Sequence, residues 1–414
     1  MLTAIHRPRK CAFSGPLWTL VVAMAWAQAG LKADDWPQWR GPERTGISRE
    51  TGWKAQWPAE GPPVAWKAKL GLGFSSVVVA QGRVYSLGHQ EGQDRVTCLD
   101  EGTGKELWRH QYPADLGDKY FEGGTTGTPT VDGGQVFVLS RWGDLFCFEA
   151  ATGTVVWSKN IQQETGIRIP DWGFGGAPLV TGGLVILNVG EAGVAVDRQT
   201  GALKWKSADK NAGYSTPLPL SGSPEVVVTS SGQGYSAVHP QTGQEVWRIR
   251  WVTQYGVNAA DPVVSGNRIF VSSGYGKGGA VYEWGQGEPR EVWKSKGLRT
   301  QMNAAVLFEG HLYGVDGDTT DKATLKCVEF ATGTETWSRP GFGSGAVLIA
   351  NGHLIALGGS GELFMAPASA KAFEPITQAQ VIGGKTWTAP VLANGRLYCR
   401  NSRGDLVCLN LKAP

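Results

Sequence analysis

One motif returns along this chain at a period that leaves few folds open. A small residue, any residue and an acid are followed by three residues, a glycine, three more and a tryptophan. It reads Cys98-Leu99-Asp100 to Gly104 and Trp108, then Cys147-Phe148-Glu149 to Gly153 and Trp157, then Ala195-Val196-Asp197 to Gly201 and Trp205. A fourth copy, Ala237-Val238-His239 to Gly243 and Trp247, carries His in the acid slot, and Cys327-Val328-Glu329 to Gly333 and Trp337 restores the acid. A degenerate copy, Val281-Tyr282 to Trp293, lies between those two. The six tryptophans are spaced by 49, 48, 42, 46 and 44 residues. Four short strands with their turns fill such a period, which is the mark of propeller blades.

Each unit reads as four strands. In the second, Thr128–Val131 opens, Asp132-Gly133-Gly134 turns, Gln135–Leu139 follows, and Arg141–Asp144 is a tight hairpin into Leu145–Glu149. Ala151-Thr152-Gly153 then turns into Val155-Val156-Trp157. Gly supplies positive φ in that last turn, the acid accepts its backbone N–H groups, and the Trp offers a large apolar face to the neighbouring blade. Blades are expected to begin near Phe74, Gly127, Gly176, Thr216, Ala260, Ala304, Gly345 and Thr388. The seventh has lost the motif, Phe373 being the nearest aromatic to its end. The eighth stops one strand short, at Leu411, while Pro63–Ala68 is a strand to spare at the other end. The expected fold is therefore all-β, an eight-bladed propeller over residues 62–411, closed by the N-terminal strand and with Trp66 in the last docking slot. Trp66, Trp108, Trp157, Trp205, Trp247, Trp293 and Trp337 are read as structural docking residues. The 18 tryptophans and 59 glycines suit that many contacts and turns.

The first 29 residues read as a signal peptide. His6, Arg7, Arg9 and Lys10 make a basic start, Leu17–Trp26 an apolar stretch, and Ala27-Gln28-Ala29 a small-x-small cleavage site. That stretch is shorter than the roughly 20 residues a spanning helix needs, no later run replaces it, and residues 30–61 form a lead segment. Cleavage would remove Arg7, Arg9 and Lys10, leaving 36 of the 39 Lys and Arg against 36 Asp and Glu. A chain with no net charge argues against a sequence-independent grip on nucleic acid. The expected location is the periplasm or outside the cell.

This tandem Ala-x-Asp-x-x-x-Gly-x-x-x-Trp pattern resembles the tryptophan-docking repeat of the pyrroloquinoline-quinone (PQQ) propeller superfamily. The resemblance implies the fold. It spans both quinone-dependent dehydrogenases and non-enzymatic propellers such as the lipoprotein of the outer-membrane β-barrel assembly machinery. The lead segment Trp36-Pro37-Gln38-Trp39-Arg40-Gly41-Pro42 is similar to one that opens small exported PQQ-like propellers of planctomycete-type bacteria.

The dehydrogenases of that superfamily carry adjacent cysteines near the quinone, and a Ca²⁺ held by a carboxylate and an amide with an Asp as base. The chain has no Cys-Cys pair and no local cluster of oxygen ligands. The six histidines are scattered, without Zn²⁺ spacing, and His239 reads as a turn residue. Asp316–Asp321 lacks the ligand order of a Ca²⁺ loop, and Gly274–Gly279 lacks that of a phosphate loop; both read as hairpin turns. No resident metal or cofactor is expected under this reading. Cys98, Cys147, Cys327 and Cys408 fill one repeat slot as small buried residues. If Arg403-Gly404 is a two-residue hairpin loop, Cys399 stands opposite Cys408, and an exported location makes a disulfide between them feasible.

The longer connections between blades gather at one face, around the central channel. They carry Trp172, Phe174, Tyr255 and Trp387 together with Arg168, Arg299 and Lys385. Aromatics beside a few orienting polar groups suit a binding mouth, so these seven are the candidate site. The expectation is a non-catalytic binding or scaffolding propeller of the cell envelope, with an envelope protein, a peptide or a small ligand at the mouth. The alternative is a PQQ-dependent oxidoreductase, with Ca²⁺, acting on alcohols or sugars.

Overall fold

Apart from two N-terminal strands, successive segments of this chain pair antiparallel with their neighbours in sequence, and eight sheets result. The structure, a computed structural model, describes residues 35–220, 225–285, 287–318 and 322–412; residues 1–29, read above as a signal peptide, lie outside them. The inner strands are Val78–Ala80, Thr130–Asp132, Leu179–Thr181, Leu218–Leu220, Val263–Ser265, Val306–Phe308, Ala346–Ala350 and Val391–Ala393. Tight turns join the strands. In the first blade Glu91 and Gly92, both at positive φ (55° and 73°), connect Arg83–Gln90 to Gln93–Asp100, the geometry whose twist matches that of the strands it joins. Among the described residues, no helix is long and apolar enough to cross a membrane.

The ring closes through Val64–Lys69, which pairs antiparallel with Asp405–Asn410 and places Trp66 opposite Cys408. A second N-terminal strand was not foreseen from the sequence. Ile47–Ser48 lies parallel to Ala346–Ala350 and gives the seventh blade five strands.

Between blades that keep the motif, the indole of one blade's tryptophan lies on the motif glycine of the next. A Cβ added to Gly104, Gly153 or Gly201 would sit 2.5–2.7 Å from the ring of Trp66, Trp108 or Trp157, and all three glycines have φ near 70°. No other residue meets both demands. The Nε1 groups of Trp66, Trp108, Trp157, Trp205 and Trp293 donate to the carbonyls of Glu101, Ala150, Arg198, Pro240 and Phe330, at 2.8–3.0 Å. Each acceptor directly follows the acid slot of its blade. In the degenerate places Trp247 stacks on Trp284, while Trp337 donates to Ser369 and packs on Phe373. The acid itself ties the turn: Asp100 Oδ1 accepts the Thr103 amide and hydroxyl, which hold its carboxyl below the usual range. In the fourth copy His239 takes the same place, its carbonyl accepting the Gly243 amide.

The last hairpin corrects the cysteine pairing. Cys399 stands opposite Val407 and Cys408 opposite Tyr398, and both thiols are free. The loop has three residues, Ser402-Arg403-Gly404, rather than two. It is bracketed by Asn401, whose amide N–H donates to the Asp405 carbonyl and whose Oδ1 accepts the Asp405 amide. One extra loop residue shifts every cross-strand partner and turns the two cysteines to opposite faces of the sheet. Cys399 accordingly packs towards the seventh blade and Cys408 towards the first, and burial pushes the Cys408 thiol up to about 12.

Candidate functional site

The inter-blade connections enclose a cavity of about 430 Å³ at one mouth of the channel. Its Trp172 wall is set by Arg141, a buried side chain in the second-blade hairpin. The Arg141 guanidinium donates to the carbonyls of Leu116, Gly124 and Trp172 at 3.0–3.1 Å, tying two connections together, and it lies over the Phe121 ring. The connection to Trp172 starts with the one-turn helix Ile161–Thr165, capped by Asn160 and ended by Gly166 at φ 72°. Trp172 then meets Tyr120, Tyr214 and Tyr255 at ring-centre distances of 5.4, 6.0 and 6.5 Å. Across the cavity Trp387 stacks on Phe74 at 5.1 Å, and Lys385 Nζ lies 4.3 Å from its ring centre. Lys385 is ion-paired with Glu122.

A third side carries amides. Asn303 Nδ2 donates to the carbonyls of Gly345 and Trp387, and Gln301 Oε1 accepts the Gly274 amide. At the inner end stands Trp39 of the lead segment, whose Nε1 donates to Asp261 Oδ2 at 2.5 Å. Asp261 Oδ1 accepts the Thr216 amide at 2.7 Å. Burial pushes the Asp261 carboxyl above its ordinary range, against the pull of Arg40, the Thr216 amide and the Trp39 indole.

Of the seven residues chosen from the sequence, Trp172, Trp387 and Lys385 line this cavity. Tyr255 stands at the rim, 63% exposed, touching Trp172 and Tyr275. The other three lie elsewhere. Phe174 is fully buried between the second and third blades, because its amide donates to the Arg141 carbonyl and directs the ring into the cluster around Leu139 and Ile161. Arg168 points outward to Asp209, 3.6 Å away. Arg299 is held by Asp316 through two hydrogen bonds of 2.8 and 2.9 Å, so its charge is used within the sixth blade. Trp39, Phe74, Tyr275, Asn303 and Asp261 had not been singled out. Asp261 had a legible signal: the residue before the inner-strand proline is Thr128, Ala177 and Thr216 in other blades, and a carboxylate replaces it here.

The cavity thus holds two carboxylates, Asp261 and the Lys385-paired Glu122, and two amides, but the chemistry of these donors does not fit a PQQ–Ca²⁺ pair. Both Asp261 oxygens and Gln301 Oε1 already accept N–H donors, whereas Ca²⁺ takes six to eight converging oxygens. A quinone with several carboxylates would meet one lining cation, Lys385, already paired with Glu122. Among the described residues, no group of three or more His, Cys, Asp or Glu side chains is placed to hold a metal ion.

The fold is shared with proteins of different activity. BamB from Moraxella catarrhalis superposes with a TM-score of 0.61 at 18% identity, covering 84% of this chain and 97% of that one. A quinohemoprotein alcohol dehydrogenase from Comamonas testosteroni gives 0.68 at 15% identity, over 92% and 81%. A europium-containing methanol dehydrogenase gives 0.70 at 12% identity, over 89% of each. At such identities the likeness shows the fold alone. No curated protein matches the sequence. Residues 45–126 and 92–339 match the family model described as outer membrane protein assembly factor BamB, and on that extent the chain belongs to this family.

Proposed function

We propose that the protein is an exported, non-catalytic binding propeller of the cell envelope that takes a small ligand or a protein partner at the channel mouth. The observation that carries this reading is the aromatic cavity itself. Trp172, Trp387, Tyr120 and Tyr275 converge on one space although the repeat requires none of them, and loops held on a rigid scaffold are where such function concentrates. Family membership supports a partner-binding role, and the signal-like N-terminus supports export. Comparative capture from envelope extract tests it. The mature chain should retain a ligand or partner that the Trp172→Ala/Trp387→Ala variant loses while still folded; equal retention by both sinks the reading.

The second reading, a PQQ-dependent oxidoreductase of alcohols or sugars, has one observation in its favour: Asp261, Gln301 and Asn303 line the same cavity. Tight Ca²⁺-dependent PQQ binding by calorimetry, with alcohol- or sugar-dependent dye reduction, would replace the first reading by this one.

A further inference from the structure

Charge balance and unused hydrogen-bonding atoms narrow what the mouth cavity can hold. Its charged lining residues are Glu122, Asp261 and Lys385. Lys385 is bound to Glu122, while Asp261 is bound to two N–H donors and lies in the field of Arg40. A charged ligand would find no free counter-charge and would have to break one of these pairs, losing its hydration uncompensated. An extended peptide would also find the inner edges of the first, second and seventh blades taken. The Val79, Val131 and Ile349 amides already donate to the carbonyls of Trp36, Pro37 and Gly46 in the lead segment.

The walls, which include Trp172 and Trp387, suit a flat apolar face. Gln301 and Asn303 line the same space; Gln301 Nε2 and Asn303 Oδ1 make no hydrogen bond among the described residues, although the other end of each amide is fixed. One free donor and one free acceptor beside aromatic faces match hydroxyl groups, which do both, carried on a ring with C–H faces. We infer that the mouth cavity binds a neutral saccharide, a sugar ring lying on the Trp172 or Trp387 side with hydroxyls turned to Gln301 and Asn303. This rests on the mouth being the binding surface, and a space of about 430 Å³ lies within the usual range for small-ligand sites.

The test is calorimetry of the mature chain with cellobiose, maltose, N,N′-diacetylchitobiose and glucose, and with glucuronate and glucosamine as charged controls. At least one neutral sugar should bind, and the charged ones more weakly than glucose. Trp172→Ala should weaken binding about tenfold, near 1.4 kcal/mol. Gln301→Glu keeps the acceptor for Gly274 but removes the free donor, and should weaken binding similarly; thermal melts establish that each variant is folded. The inference is overturned if no neutral sugar binds, if both variants bind as the parent does, or if glucuronate or glucosamine binds as well as glucose. The capture experiment separates the two failures. A partner lost by the Trp172→Ala/Trp387→Ala variant, without sugar binding, removes only the ligand class; a variant without effect on either removes the mouth as the site.

Discussion

Single residues in this ring answer to two different demands, closure and recognition. Trp157 serves closure: its ring covers Gly201 and its Nε1 donates to the Arg198 carbonyl at 3.0 Å. Trp157→Ala should cost about 3–5 kcal/mol in urea denaturation, as truncations of large buried rings do. Gly201→Ala should be comparably harmful despite its size, since the new methyl would collide with the indole and the φ of 70° disfavours it. Asp261 makes the opposite case. Burial raises its carboxyl in the folded chain, so the folded state holds that proton more tightly than the unfolded chain, whose value is about 3.9. The stabilising contribution is then full below that value and is lost as pH rises through the folded pKa. Asp261→Asn should flatten the stability profile above about pH 4. A profile that keeps its shape would mean that Arg40 and the two N–H donors leave the carboxylate ionised throughout.

At the scale of elements, the strands were legible and the connections were not. Each blade strand recurs at the repeat period, and the spare Pro63–Ala68 strand followed from a count. Ile47–Ser48 obeys no repeat; its partner strand lies about 300 residues away and only the folded ring brings the two together. The last hairpin misled because Arg403-Gly404 looks like a complete turn until Asn401 and Asp405 are seen to bracket three residues. Closure gives a test at this scale. Lys69 and Asp405 are paired across it at 2.5 Å, but their side chains are 63% and 38% exposed. Lys69→Met should therefore cost at most about 1 kcal/mol and be masked by salt. Deleting residues 30–69 instead leaves the Asp405–Asn410 edge unpaired, and aggregation should appear in light scattering. A truncated chain that stays monodisperse and melts like the parent would mean the ring closes otherwise.

Over the whole molecule, the lead segment works as a spoke across the ring. Trp36 pairs with Val79 in the first blade, Pro37 accepts from Val131 in the second, and Trp39 reaches Asp261 in the fifth. Arg40 donates to Ala305 in the sixth at 2.8 Å, and Ile47 pairs with Ile349 in the seventh. Contacts with five blades draw the lead segment into the cavity wall, which explains why the candidate site was only partly readable. Trp172, Trp387 and Lys385 belong to connections and advertise themselves as residues the repeat does not need. Trp39 sits in a segment with no period, and its role depends on crossing the ring. Trp39→Ala is thus the most informative change to the site's inner end. It removes the indole donor from Asp261 and opens the cavity towards the small space behind it, lined by Trp36, Arg40 and Ser76. Because the side chain is only half-buried, stability should fall by about 1–3 kcal/mol, with one cooperative transition retained, since Val64–Lys69 still closes the ring. Hydrogen exchange should quicken at the Thr216 amide, whose acceptor Asp261 has lost its second partner. Unchanged exchange at Thr216 together with unchanged stability would mean that the spoke lies against the ring without bracing it.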